Sequence, residues 1–291
     1  MFWEQLINGL TLGSTYALIA LGYTMVYGII QLINFAHGEI YMFGAFAGLY
    51  LVTVGGVNIF VAMLGAMIFC MLLGIVVERV AYRPLRGKSS RLSALISAIG
   101  VSIFLSTLMA LLRGTNTTRF PEVFTRHTYQ LGSVEMSSLQ LIILITSALL
   151  MVGLQLMIMK TRIGKAMRAC SEDLDAAYLM GVNVNRVISF TFAIGSALAA
   201  AGGVMVGLYY HAVWPYMGTM AGLKAFAAAV LGGIGSVPGA MLGGITLGIM
   251  EIFGVAYLSS SYKDAIAFAV LILVLIIRPQ GILGKAISKK V

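Results

Sequence analysis

The sequence predicts an all-α fold, a polytopic bundle of transmembrane helices, and three observations lead to it. Hydrophobic residues make up 60% of the 291 positions and charged residues only 10%, whereas about a quarter of the residues in a soluble domain are charged. Apolar runs of roughly the 20 residues that a bilayer crossing requires recur along the chain. Glycine occurs 34 times and proline only 5 times, a bias typical of close helix packing in lipid.

The apolar runs predict about eight or nine crossings within a single transmembrane domain, residues 1–291. The candidate spans are 5–30, 38–54, 58–77, 92–112, 139–159, 187–210, 220–234, 238–257 and 264–277. The seventh and ninth are short and the second starts in polar sequence, so we expect tilted, broken or re-entrant elements among them. Glycines four residues apart, such as Gly9 and Gly13 or Gly244 and Gly248, predict close contact between helix backbones.

The net charge of +9 reflects membrane topology, not nucleic-acid binding, because the basic residues lie in short loops between the apolar runs. One side of the bundle carries most of them: Arg79, Arg83, Arg86, Lys88, Arg91, Lys160, Arg162, Lys165, Arg168, Arg186, Arg278, Lys285, Lys289 and Lys290. The other side has Arg113, Arg119, Arg126 and Lys263. The positive-inside rule therefore predicts a cytoplasmic C-terminus. Nine crossings place Met1 outside, whereas a segment 31–54 that enters and returns reverses that assignment.

The polar segment Asn34–Glu39 (NFAHGE) interrupts apolar sequence and predicts a helix break or part of a substrate pathway. A charged residue in a span costs roughly 2.5–3.5 kcal/mol on insertion scales, so Glu39 requires a partner. Lys224 is the basic residue of the seventh span, and a Glu39–Lys224 pair would offset both costs. Asn34 and His37 are the other polar candidates in this pathway, with His37 expected to form hydrogen bonds.

A second interruption, Leu231–Gly244 (LGGIGSVPGAMLGG), has no preceding strand and no Lys-Ser or Lys-Thr after it, so it is not a phosphate-binding loop. It predicts a tight cytoplasmic turn with Pro238 in the first turn of the next helix. Because this run and NFAHGE each punctuate one half of the chain, together they favour inverted structural repeats.

The polar residues do not indicate an enzyme. The three histidines are scattered, Cys70 and Cys170 lie in different contexts, and no spacing typical of a catalytic triad or a metal site occurs. The sequence contains no GxxxxGK[ST] motif, so ATP hydrolysis would have to come from another polypeptide. We therefore expect no metal site and no cofactor in this chain.

The loop of about 160–186 is predicted to be cytoplasmic and to contain two short helices. Ser171 is expected to cap the second helix, and Gly181 suits the position just past its C-terminus. An amphipathic helix beneath a bundle can dock into a groove of a soluble partner, or it can lie on the lipid headgroups. The residues predicted to contact a partner are Met167, Arg168, Glu172, Asp173, Leu174, Asp175, Ala176, Ala177 and Gly181.

Part of this loop resembles the coupling loop of bacterial ABC importer permeases. Asp175, Ala176, Ala177 and Gly181 are similar to its Glu-Ala-Ala-x-x-x-Gly signature, although Asp replaces Glu and the downstream Ile-x-Leu-Pro is missing. Four further segments resemble branched-chain amino acid ABC transporter permeases of the LivH type, and they lie in order along nearly the whole chain: 8–45, 78–87 (ERVAYRPLRG), 222–244 and 278–284 (RPQGILG).

The resemblance implies a permease subunit of an ATP-driven importer in a bacterial inner membrane. It implies a homologous permease, two ATP-binding cassette subunits that bind the ATP, and a periplasmic substrate-binding protein as partners. Its implied substrates are branched-chain amino acids, and urea or short-amide permeases are similar in the same segments. Two alternatives without these partners are a stand-alone transporter or channel using Glu39, Lys224 and Glu251, and a membrane scaffold that transports nothing.

Overall fold

The computed structural model describes residues 2–86, 91–124, 127–131 and 134–284. Its α-helices are α1 (Phe2–Ile30), α2 (His37–Thr53), α3 (Ile59–Val77), α4 (Arg91–Arg113), α5 (Ser138–Lys160), α6 (Arg162–Glu172), α7 (Leu174–Leu179), α8 (Val184–Tyr210), α9 (Met217–Gly232), α10 (Val237–Tyr257) and α11 (Lys263–Ile277). Short strands β1 (Thr118–Arg119) and β4 (Ala212–Val213) pair with each other, as do β2 (Thr128–Leu131) and β3 (Val134–Ser137). Of the basic residues counted above, Lys88, Arg126, Lys285, Lys289 and Lys290 lie outside the described residues.

The bundle has two ends that differ in charge. The basic end carries the segments 78–86, 161–183, 233–236 and 278–284, and Gly233 packs there against Gly284. At the opposite end the Asn8 side chain accepts a hydrogen bond from Gln140 at 2.6 Å. In the described part of the chain, seven segments are long and apolar enough to cross a membrane, and α9 is a shorter apolar helix. The predicted helical bundle of about eight or nine spans is confirmed.

Two crossings are broken in the interior of the bundle. After α1 ends at the basic end, residues 31–36 turn back into the bundle, and α2 begins where His37 lies against Gly22, about two turns from the end of α1. After α8 ends at the opposite end, residues 211–216 likewise turn back into the bundle, and α9 begins where Gly218 lies against Gly38 of α2. The N-termini of α2 and α9 therefore meet inside the protein. We call this contact the junction.

The break at NFAHGE is as predicted, but its counterpart is residues 211–216 and not the run 231–244. That run is a turn at the basic end, where Gly233 and Gly235 adopt positive φ angles of 104° and 92° and Pro238 lies in the first turn of α10. A turn at a bundle end can expose its backbone groups to water, whereas a break inside the bundle must satisfy them within the protein.

The two breaks belong to an inverted repeat in which α1, α2 and α3 correspond to α8, α9 and α10. Gln31 and His211 lie 180 positions apart, each directly follows a long helix, and both have φ of 52°. The packing is reciprocal, because α1 contacts α10 as α8 contacts α3. The same offset aligns identical residues in α1 and α8: Thr11 and Thr191, Ala17 and Ala197, Leu18 and Leu198, Ala20 and Ala200, Gly22 and Gly202, Met25 and Met205, Val26 and Val206.

Glycines allow the central helices to touch through their backbones. A Cβ atom added to Gly248 of α10 would collide with the backbone of Gly13 in α1, and one added to Gly244 would collide with Ala17. The glycine spacing predicted this contact correctly. The glycines of α4 and α5 differ, since nothing lies within 4 Å of a Cβ added to Gly100 or Gly153.

We predict that Gly248→Ala lowers the thermal stability of the purified protein, because its methyl group must separate α1 from α10. Overpacking of this kind costs about 1–3 kcal/mol. Gly153→Ala is the matched control, and there the gain in helix propensity of roughly 0.5–1 kcal/mol should leave stability equal or higher. Thermal unfolding in detergent measures both variants, and equal melting temperatures would contradict the backbone contact.

Candidate transport pathway and coupling surface

Glu39 connects the two half-helices at the junction. It lies in the first turn of α2, and its Oε1 atom accepts hydrogen bonds from Thr219 in the first turn of α9 at 3.0 Å and from Ser102 of α4 at 3.3 Å. The residue is 1% exposed. Glu39 and Thr219 are equivalent positions of the inverted repeat, so the hydrogen bond joins them near its pseudo-twofold axis.

The second carboxylate oxygen of Glu39, Oε2, is buried and has no hydrogen-bond partner among the described residues. The N-cap residues of α2 and α9, Ala36 and Tyr216, provide no side-chain cap. A helix N-terminus carries a partial positive charge of about half an elementary charge. Two such termini beside the carboxyl group of Glu39 form a polar centre in an apolar bundle.

Asn34 and His37 complete the polar lining of the first break. The Asn34 side-chain oxygen accepts a hydrogen bond at 2.8 Å from Tyr82, which is held by the π-helical turn Glu78–Tyr82 after α3. The Asn34 amide nitrogen is buried and has no partner among the described residues. His37 is buried beneath Gly22, with its ring edge-to-face against Tyr23 at a centroid distance of 4.9 Å.

Lys224 does not pair with Glu39, so the predicted Glu39–Lys224 ion pair is wrong. The Lys224 Nζ atom lies 3.0 Å from Oε1 of Glu251 in α10 and 2.7 Å from Oδ1 of Asp264 in α11. Lys263 approaches the same Glu251 oxygen at 3.3 Å. Glu39 faces α4 while Lys224 faces α10 and α11, and the sequence does not specify which helices pack on each face.

We predict that Lys224→Met destabilises the protein by about 3 kcal/mol, the lower end of the range for breaking a buried ion pair, because Lys263 still compensates Glu251. Adding Glu251→Gln to this variant should cost less than Glu251→Gln costs alone. Adding Glu39→Gln to Lys224→Met should change the free energy of unfolding by the same amount as Glu39→Gln does alone. Thermal unfolding of the single and double variants measures the couplings, and a strong coupling of Lys224 to Glu39 would refute the observed pairing.

The 160–186 loop folds as the two predicted short helices, α6 and α7. Thr161 caps α6 by accepting a hydrogen bond from the Gly164 N–H. Asp173 caps α7 by accepting from the N–H groups of Asp175 and Ala176, each at 2.9 Å. The prediction that Ser171 caps α7 is wrong, because its hydroxyl donates to a carbonyl within α6. Gly181 has a φ of 83° and follows α7, as its position predicted.

The predicted partner contacts divide into buried and exposed residues. Met167 is 5% exposed and Ala177 also 5%, so both pack beneath their helices. Leu174 is half-buried. The exposed residues are Arg168, Glu172, Asp173, Asp175, Ala176 and Gly181. Among the predicted contacts, the exposed side chains are therefore charged or small.

An exposed apolar cluster that was not predicted from the sequence, Tyr178–Met180, lies at the end of α7. Tyr178 is 70% exposed, Leu179 82% and Met180 84%. These residues directly precede the helix-ending Gly181, and that position was the available signal. Large apolar side chains at a loop tip are typical of a surface that another protein covers. We call this cluster the apolar tip.

The loop rests on the helices that lead to the junction. α6 contacts α1, α5 and α8, and α7 contacts α8. Helices α1 and α8 are the most enclosed of the long spans in the described part of the chain, with 83% and 89% of their apolar windows buried. The loop therefore packs on the two central helices as well as on the peripheral α5.

Comparison of the sequence with protein families and with individual proteins indicates the same family. Residues 5–275 match the family described as "Branched-chain amino acid transport system / permease component". The chain is 49% identical to the high-affinity branched-chain amino acid transport system permease protein LivH of Escherichia coli K12, with 100% of this chain and 98% of the relative covered. It is 48% identical to BraD of Pseudomonas aeruginosa PAO1, with the same coverage.

A solved structure, PsaBC from Streptococcus pneumoniae in complex with Fab, superposes with a TM-score of 0.53. Sequence identity is 14%, and the match covers 94% of this chain and 91% of that chain, so the likeness concerns the fold alone. The family found by the full-length match fits the broken helices at the junction and the enclosed positions of α1 and α8. The chain belongs to the family of permease components of the branched-chain amino acid transport system.

Proposed function

We propose that the chain is a membrane permease subunit of an ATP-driven importer for branched-chain amino acids. The observation that carries the proposal is the 49% identity to LivH of Escherichia coli along the whole chain. The geometry supports it, because a polar centre inside an apolar bundle is the arrangement expected of a solute pathway. The chain supplies half of the pathway and is not itself an enzyme.

The energy source in this proposal is a separate pair of ATP-binding cassette subunits. The sequence has no phosphate-binding loop of its own, so ATP is bound by those partners. A homologous permease supplies the other half of the pathway, and a periplasmic binding protein delivers the solute. The surplus of basic residues at the end bearing α6 and α7 supports an inner-membrane orientation with that end, and the C-terminus, in the cytoplasm.

Contact with the ATPase is proposed to lie on the outer surface of the 160–186 loop. The apolar tip fills a groove in the ATPase, and Arg168, Glu172 and Asp175 form polar contacts around it. This arrangement of a buried apolar centre and a polar rim is typical of protein interfaces. Met167 and Ala177 hold α6 and α7 against the bundle, so ATP-driven movement of the loop is passed to α1 and α8.

We predict that Asp175→Lys uncouples ATP hydrolysis from leucine uptake in the reconstituted transporter. The substitution reverses a charge at the interface without removing the α7 cap, which Asp173 provides. We expect uptake to fall on the order of tenfold, the effect of losing about 1.4 kcal/mol of coupling, while the ATPase subunits retain hydrolysis. Uptake and hydrolysis measured on the same proteoliposomes give the ratio.

The matched control is Asp173→Asn, which keeps an oxygen acceptor for the cap and should leave uptake close to that of the unmodified protein. Charge reversal at both Asp173 and Asp175 adds loss of the cap to the loss of contact. Normal uptake in that double variant would remove the coupling role from this surface.

Uptake of urea or acetamide in preference to leucine would replace the proposed substrate with the amide alternative.

A further inference from the structure

We propose that Glu39 binds the ammonium group of the amino acid as the solute passes the junction of α2 and α9. The inference rests on the proposed function and specifies how the pathway recognises its solute. It assigns a charge-recognition role to one side chain of this chain, in addition to any selection made by a binding protein.

The first argument is the unsatisfied oxygen. A buried polar atom without a partner costs about 1–3 kcal/mol, and more for a charged group, so such atoms are rare in folded proteins unless function requires them. Glu39 is 1% exposed and its Oε2 atom has no hydrogen-bond partner among the described residues. The hydroxyls of Ser102 and Thr219 both donate to Oε1, which leaves Oε2 available.

The second argument is the missing countercharge. In the described part of the chain, the ion pairs found do not include Glu39, and Lys224 is held by Glu251 and Asp264. The groups that face the carboxylate are hydroxyls and the N-termini of two helices. They bring partial positive charge to the carboxyl group but no full positive charge. An ammonium group entering the junction would form an ion pair with Glu39, and this pairing would offset the free-energy cost of its lost hydration.

The third argument is that the junction also provides for the opposite charge of a zwitterion. Helix N-termini attract anions, and those of α2 and α9 lack side-chain caps at their N-cap residues. Backbone carbonyls already accept from the N–H groups of His37, Met217 and Thr219, so the partial positive charge of the termini is what remains for a carboxylate. Discontinuous helices in other transporters direct their N-termini at solute carboxylates. The carboxylate of Glu39 and the two N-termini thus offer both signs of charge within one junction.

Access to the junction requires movement of α4. This helix packs against α2 beside the junction, and its Ser102 hydroxyl donates a hydrogen bond to Glu39. Only 22% of the apolar window of α4 is buried within the chain, compared with 83% for α1, so most of α4 faces away from the rest of the bundle. Displacement of α4 breaks the Ser102 hydrogen bond, which frees a second acceptor site on Glu39 for the ammonium group.

A purely structural role for Glu39 makes a different prediction, and two substitutions separate the roles. Glu39→Gln keeps an oxygen that accepts from Ser102 and Thr219 but removes the charge. Ser102→Ala removes the hydrogen bond to α4 but keeps the charge. If the carboxylate only fastens helices together, Ser102→Ala is the more harmful change. If the carboxylate binds an ammonium group, Glu39→Gln is the more harmful change.

The experiment is leucine uptake by the complete transporter in proteoliposomes, with ATP hydrolysis stimulated by the binding protein measured in parallel. We expect Glu39→Gln to reduce uptake on the order of tenfold, equivalent to about 1.4 kcal/mol, with stimulated hydrolysis retained. Ser102→Ala keeps the carboxyl group of Glu39 and should reduce uptake less than Glu39→Gln does. Uptake by Glu39→Gln equal to that of the unmodified transporter overturns the inference, and so does an equal loss in both variants.

A second measurement requires no variant. Leucine should raise the melting temperature of the transporter purified without its binding protein, and 4-methylpentanoate, which has the same aliphatic carboxylate but no ammonium group, should not. Equal stabilisation by both compounds overturns the role of Glu39 in ammonium binding. Complete absence of leucine uptake by the unmodified transporter would instead overturn the proposed function, so the two failures are distinguishable.

Discussion

The contact between the N-termini of α2 and α9 is the constraint on which the rest of the structure depends. Two half-helices can meet inside an apolar bundle only if their backbones touch closely and their free polar groups find partners. Gly38 and Gly218 provide the close approach, and Glu39 bonds to Thr219 across it. The inverted repeat follows naturally, because equivalent breaks in two halves bring the same pair of helix ends to one axis.

Charge inside the bundle is arranged in two separate ways. Lys224 belongs to a closed network with Glu251, Asp264 and Lys263, where opposite charges offset the cost of desolvation and fix α11 to the central helices. Glu39 has hydroxyl partners and helix N-termini instead of a cation. The first arrangement pairs opposite charges, whereas the second leaves one carboxylate oxygen of Glu39 without a hydrogen-bond partner among the described residues.

Much of this fold could be predicted from the sequence, because spans and glycine contacts depend on local composition and spacing. The NFAHGE break and the two loop helices were also predictable, since polar residues and Gly181 mark them directly. The partner of Lys224 and the break at 211–216 were not, because each depends on which helices become neighbours. An inverted repeat was expected, but its residue-by-residue alignment was not, because the identical positions in α1 and α8 are mostly small or apolar residues common in any span.

The central claim is that this chain forms half of a pathway driven by a motor on other subunits. The most direct test compares leucine flux in liposomes that contain this chain alone, under ion or solute gradients, with flux in liposomes that contain the complete transporter and ATP. The account predicts no flux through the chain alone and ATP-dependent accumulation by the complete transporter. Gradient-driven leucine flux through the chain alone would contradict it.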